Sequence, residues 1–320
     1  MQGKNRWLVL LLAVSVAAAT GPPAGAWNDR GHMTVAYVAY QRLRPATRQR
    51  VDQLLKLNPR YGDWASRVDR EIPGGSAEDR NLMIFMIAAT WADAIKRDPA
   101  YQPDGSQGGN RPEGSPDAGA NSGYADRLMH KYWHFVDTPF APDGTPLPAV
   151  PAPNVGERIR LFRQLLASPE PDELKSYDLT WLLHLVGDVH QPLHAATRVS
   201  SALPAGDAGG NLVKLDCARC ELHFFWDDLL GSESDLKSVL AGAQKLPPAK
   251  AALARKSDES EWIRESFREA QRTVYAAPVG TGNGPFTLSA AYRKKALALA
   301  RERVVLAGAR LANLLNQELD

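Results

Sequence analysis

Leu179-Thr-Trp-Leu-Leu-His-Leu-Val-Gly-Asp188, followed at once by Val189-His-Gln-Pro-Leu-His194, is an apolar run that carries an imidazole and a carboxylate where hydrocarbon is expected. His184 and Asp188 are four residues apart, so on a helix they share one face, with Cβ atoms roughly 5–6 Å apart. Glu221-Leu-His-Phe-Phe-Trp-Asp227 repeats the spacing with His223 and Asp227. Burying such groups in apolar segments is costly without partners. A divalent cation satisfies both at once, and His with Asp is an ordinary nitrogen–oxygen donor set for zinc. A hydrogen bond within the helix would account for one such pair. Two pairs, with His194 just past the helix-breaking Pro192 and Asp93 in Trp91-Ala-Asp93, favour a metal.

Outward from that run, helical periodicity dominates, and the expected fold class is all-α. Helices are expected over Met33–Leu43, Pro45–Leu57, Asp79–Lys96, Val155–Ala167, Pro171–Val189, Asp258–Tyr275 and Thr287–Leu319. Pro45 suits a first-turn position. Strand signal is confined to Leu212–Leu215, as half of a hairpin turning at Cys217-Ala-Arg-Cys220. Asp98–Tyr124 is rich in Gly, Pro, Ser, Asp and Asn and reads as a flexible loop insertion. The residues tied to chemistry lie on both sides of it, so residues 27–320 are expected to form a single domain.

The first 26 residues read separately. Lys4 and Arg6 precede an apolar run from Trp7 to Ala19, and small residues lead to Ala24-Gly-Ala26. That pattern describes a secretory signal peptide, and a run of about 13 apolar residues is short of the roughly 20 that span a bilayer. The mature chain is expected to start at Trp27 and to be secreted or periplasmic, with no membrane association. Without Lys4 and Arg6 the 38 basic residues fall to 36, matching 36 acidic ones. A neutral chain lacks the basic surface of sequence-independent duplex binding, so affinity for phosphate must come from a local site. Cys217 and Cys220, the two cysteines, fit a small-ring disulfide, a redox motif or half a zinc site.

Taken in order, Trp27-x4-His32, Trp91-Ala-Asp93, His134-Phe-Val-Asp137, His184-x3-Asp188-x5-His194, Gly209-Gly-Asn211 and His223-x3-Asp227 resemble the single-strand-specific zinc nucleases of fungi and plants. These also act as 3′-nucleotidases and share a fold with the bacterial zinc phospholipases C. The resemblance implies three zinc ions. Asp93, His134, His184 and Asp188 would hold one. Trp27, through its amino nitrogen and carbonyl oxygen, would join His32 and the bridging Asp188 at a second. His194, His223 and Asp227 would hold the third. Asp137 would orient the nucleophile, Lys96 would support the transition state, and Phe135 and Asn211 would contact substrate. His130 and His190 are left over and read as surface residues or as outer hydrogen-bond partners.

The implied activity is hydrolysis of single-stranded RNA, DNA and 3′-nucleotides to 5′-phosphorylated products by a monomer with no stable protein partner. The alternative is a zinc-dependent phospholipase C. Those enzymes place a longer stretch between the N-terminal Trp and the first His and end the third site with Glu, whereas this chain has a short stretch and Asp227. The sequence departs from the fungal pattern in having Lys96 in place of an arginine, which keeps the charge and loses the bidentate fork. An insertion at Arg198–Asp207 falls near the expected base pocket. Phe135 reads equally as a core aromatic, and Lys96 as an exposed cation at a helix end.

Overall fold

The computed structural model describes residues 27–112, 126–217 and 220–319. The expected signal peptide, residues 113–124 of the expected loop and the Ala218-Arg219 turn lie outside the described residues. Twelve α-helices follow one another among the described residues: α1 Asp29–Tyr40, α2 Pro45–Lys56, α3 Tyr61–Glu71, α4 Ala77–Ala88, α5 Trp91–Ala94, α6 Val155–Ala167, α7 Asp172–Asp188, α8 Leu222–Asp227, α9 Leu236–Ala243, α10 Ala251–Ala254, α11 Glu259–Glu269 and α12 Ala290–Glu318. Among the same residues, the one extended pairing that forms a sheet is β1 Pro139–Phe140 parallel to β2 Thr197–Arg198. The all-α reading holds, and no described helix is long and apolar enough to cross a membrane.

The apolar run Leu179–Asp188 lies in the central helix, α7. Every residue of α7 from Lys175 to Asp188 is buried, as expected of a helix that is apolar all round. α1, α2, α5, α6 and α12 pack around it. α1 also lies along α12 and α4, and it starts earlier than its apolar period suggests because the Asn28 side chain accepts the Gly31 N–H at the cap. α6 opens with a capping box between Asn154 and Glu157.

Two expectations need correction. The helix expected over Asp79–Lys96 breaks after Ala88, and its second part is the short α5 followed by a 3-10 turn at Ile95–Arg97. Thr90 caps the break by donating its hydroxyl to the Ile87 carbonyl. Leu212–Leu215 is not a strand: Lys214 makes an isolated bridge to Glu221 and Leu215 one to Phe286. In the described part of the expected loop, Gln102 N–H bonds the Arg127 carbonyl and Met129 N–H bonds the Gln102 carbonyl. The helices α3, α9 and α10 and the β1–β2 pair have no counterpart in the sequence reading.

Candidate metal centre

Asp188 ends α7 with both carboxylate oxygens buried among imidazoles. Its Oδ2 lies 2.9 Å from His134 Nδ1 and 3.3 Å from His184 Nε2, while Oδ1 lies 3.3 Å from His32 Nε2. Asp93, delivered by α5, places Oδ1 3.6 Å from His184 Nε2 and 3.8 Å from His134 Nδ1. α1 supplies His32, whose ring stacks on His184 with centroids 3.7 Å apart. That approach requires a glycine at position 187, where a Cβ would stand 2.9 Å from His32 Nδ1. A third cluster forms nearby: His194 Nε2 and His223 Nε2 are 3.1 Å apart, and Asp227 Oδ2 is 3.5 Å from His223 Nε2.

The outer bonds decide which ring atoms face inward. His184, His194 and His223 each give Nδ1–H to a backbone carbonyl, of Ala89 at 2.8 Å, His134 at 2.8 Å and Gly209 at 2.7 Å. A carbonyl only accepts, so these nitrogens carry the protons and each Nε2 of a neutral ring presents a lone pair. The break in the helix at Ala89 and the left-handed turn at Gly209 serve this orientation. Gly209 has φ +60°, and a Cβ there would lie 2.7 Å from the Leu193 carbonyl. Gln191 plays the same part for a carboxylate, donating to Asp227 Oδ1 at 2.7 Å.

Electrostatics sharpen the picture. Burial pushes the His184 imidazole down to about 4, with Lys96 adding to the effect. Burial also holds His32, His134 and His194 well below the usual histidine range. Asp188 and Asp227 are driven well above the carboxylate range by burial, with Asp93 adding repulsion. Burial would raise Asp93 too, but Lys96, His184 and His32 more than offset it and hold it low. His194 and His223 bring their Nε2 atoms within 3.1 Å of each other, and with both rings neutral two lone pairs would face one another, an arrangement that a cation between them relieves. Both ring nitrogens of His32 and Oδ1 of Asp188 are buried without a hydrogen bond. Donor set, orphaned atoms and facing lone pairs all fit metal ions. The donor atoms of His134, His184 and Asp188, of His32, Asp93 and His184, and of His194, His223 and Asp227 each gather within 4.8 Å.

Residues 27–320 match the S1/P1 nuclease family. The chain belongs to that family. A curated relative, Endonuclease 4 of Arabidopsis thaliana, is 37% identical over 78 residues, which is 22% of this chain and 23% of that protein. S1/P1 nucleases are metal-dependent, in keeping with the donor clusters.

The remaining candidate residues fall as follows in this S1/P1 family member. Trp27 is fully buried, and its indole donates to the Gly187 carbonyl beside Asp188 at 3.1 Å, while Asn28 N–H bonds the Asp227 carbonyl at 3.3 Å. Lys96 is not an exposed cation: its side chain is 4% exposed and its ammonium sits 2.7 Å from Asp93 Oδ1. Asp137 is held between two backbone bonds, Val136 N–H to the His194 carbonyl and Thr197 N–H to the Thr138 carbonyl. Burial pushes its carboxyl up to about 6, with Arg111 opposing and Asp207 reinforcing. Phe135 is half-buried and packs on the main core. Asn211 turns its amide onto the Ala208 carbonyl at 2.7 Å. Cys217 and Cys220 are joined as a disulfide.

His130 and His190 are both buried, so the surface reading of them does not stand. His130 bridges Asp104 and Asp126 at 2.7 and 2.6 Å and stacks on Trp133. The sequence reading overlooked Gln191, although it lies between Asp188 and His194, and the arginines that reach His190.

Proposed function

We propose that this chain hydrolyses phosphodiester bonds in single-stranded RNA and DNA, and 3′-nucleotides, with three zinc ions, leaving 5′-phosphorylated products. Asp93, His134, His184 and Asp188 would hold one ion. Trp27, His32 and Asp188 would hold a second, and His194, His223 and Asp227 the third. The observation that carries this reading is the close approach of imidazole nitrogens to one another and to carboxylates in buried clusters, inside a chain matched by the S1/P1 family from residue 27 to 320. Bound zinc supplies Lewis acidity, acidifying water and neutralising charge on phosphate oxygens.

The protein's own groups do the rest. Asp137, raised by burial, is a carboxylate near neutral pH that can still accept a proton, so it orients the attacking water and takes its hydrogen. The Lys96 ammonium, held beside Asp93, donates to a phosphate oxygen as negative charge grows there. The exposed part of Phe135 offers a face for a base, and Asn211 stands at the same rim as the Gly209–Gly210 turn. The backbone carbonyls of Ala89, His134 and Gly209 keep three imidazoles in one tautomer through the cycle.

We also read residues 1–26 as a signal peptide whose removal frees the Trp27 amine, giving a secreted or periplasmic, single-domain monomer. The start of the family match at residue 27 supports that boundary. The test is parallel turnover of single-stranded DNA, a 3′-mononucleotide and phosphatidylcholine by the processed protein, with chelator and with zinc restored. Zinc-restorable cleavage of the first two supports the proposal, and turnover of the lipid alone refutes it.

A further inference from the structure

One turn meets most of the donor groups. Asp188 faces His32, His134 and His184. Three residues later Gln191 holds Asp227, and His194 stands against His223. Val189 and His190 lie between, and α11 and α12 grip both. Ser266 donates its hydroxyl to the Val189 carbonyl at 2.5 Å. Arg303 gives Nε–H to the His190 carbonyl at 3.0 Å and an Nη2 hydrogen to the Ser266 hydroxyl at 2.6 Å. Arg310 Nη1 donates to His190 Nε2 at 2.9 Å, and His190 Nδ1–H goes to the Val186 carbonyl at 2.8 Å. The His190 ring is therefore neutral, with both nitrogens committed.

This arrangement is expensive. Arg303 and Arg310 are buried side by side, with side chains 6% and 0% exposed. Glu265 is the carboxylate that meets both, at 3.5 Å and 2.8 Å. Two buried guanidiniums on one half-buried carboxylate, which the Lys256 ammonium also approaches at 3.4 Å, are held at a desolvation cost that apolar side chains of similar volume avoid. Helix packing alone would be met by leucine, since the neighbours from Val304 to Ala309 are apolar, apart from Gly308, and buried. Instead each guanidinium gives one hydrogen to His190, and Arg310 also binds the Leu253 carbonyl through Nε and Nη2.

We propose that Arg303 and Arg310 are positioning residues for the metal centre. Acting through Val189 and His190, they fix the Asp188–His194 turn and so set the spacing between the Asp188 clusters and the His194–His223–Asp227 cluster. The inference rests on the metal-centre reading. It assigns His190 the role of an adaptor: it ligates nothing and transmits the hold of α12 to the ligands on either side.

The test uses the processed full chain as wild type and as Ser266→Ala, His190→Leu and His190→Gln. Zinc content is measured after equilibration with chelators of graded strength, and melting temperature is measured on the metal-free forms. Outer hydrogen-bond partners of metal ligands typically matter by about 10–100-fold in metal affinity. His190→Leu and Ser266→Ala should give up one zinc equivalent at about 10–100-fold lower free chelator than wild type. His190→Gln, whose amide oxygen can still accept from Arg310, should recover most of that loss. Ser266→Ala removes one oxygen and carries the test if His190→Leu does not fold. Variants that lower the metal-free melting temperature yet hold all zinc as tightly as wild type would make the network purely structural and overturn the inference. A wild type that holds no zinc overturns the metal-centre reading itself, and the inference with it.

Discussion

Replacing Asp188 by asparagine should reverse the order of stability between the metal-free and metal-loaded proteins. The amide matches the carboxylate's shape but offers one acceptor and an NH2 donor in place of two anionic oxygens. In the metal-free protein the substitution is an improvement. The buried Asp188 carboxyl titrates well above its ordinary range, so the stability it contributes is present below about pH 4 and is lost as pH rises through its folded value. An uncharged amide suffers no such loss, and its NH2 can donate to His134 Nδ1, which in the wild type faces Asp188 Oδ2 at 2.9 Å. With zinc the reverse holds. One ligand stabilises the folded chain by about 4 kcal/mol when present at a thousand times its dissociation constant. Asp188 faces two clusters, so its loss forfeits about 8 kcal/mol, or about 15 °C at the low end of the size-dependent conversion. The assay is calorimetry of wild type and Asp188→Asn at about pH 8, well above the ordinary carboxylate range, with chelator and with excess zinc, alongside metal analysis. Wild type should melt below the variant with chelator and far above it with zinc, and the variant should lack more than one zinc equivalent. A variant that keeps all its zinc, or gains as much from zinc as wild type, would remove Asp188 from its shared position.

Asp137→Ala and Lys96→Ala should leave zinc content intact while kcat falls by about tens to thousands of fold, and an unchanged kcat in either returns that residue to a structural role. Retention of a methionine before Trp27 should cost one zinc equivalent and nearly all activity, because the Trp27 nitrogen is then an amide without a lone pair to give. Equal zinc content and kcat in the methionine-extended and processed proteins would refute that. Asp178 lies on α7 away from the ligands, and its carboxyl is pushed up to about 8 by burial, with Glu170 adding repulsion. A raised carboxyl makes stability fall as pH rises between about 4 and 8, by at most about 1.4 kcal/mol per pH unit. Asp178→Asn should therefore flatten the stability–pH curve and melt higher than wild type at about pH 9, and parallel curves for the two proteins would rule out the burial effect.

What could be read in advance follows from where each signal lives. The candidate ligands His184, Asp188, His223 and Asp227 stood out because each is a polar group inside its own apolar run, a contrast contained within a short window of sequence. α7 and α12 were legible for the same reason, since long periodic segments outvote their irregularities. α3 escaped because its buried face is only Trp64, Ala65 and Val68, too few to establish a period. The break at Ala89 cannot be inferred locally, since Met86 to Ala89 would continue a helix; its meaning lies 95 residues away, where the freed carbonyl receives His184. Arg303 and Arg310 show the same limit from the other side. Two turns apart on one face of α12, they look like ordinary polar positions in a helix rich in arginine and lysine. Burial turns them into a statement about the site, and only packing against the Asp188–His194 turn reveals it. Ligands betray themselves by contrast with their surroundings, whereas the groups that hold ligands still are defined by a partner elsewhere in the chain. That is why the candidate donor set was readable from sequence and its supporting frame was not.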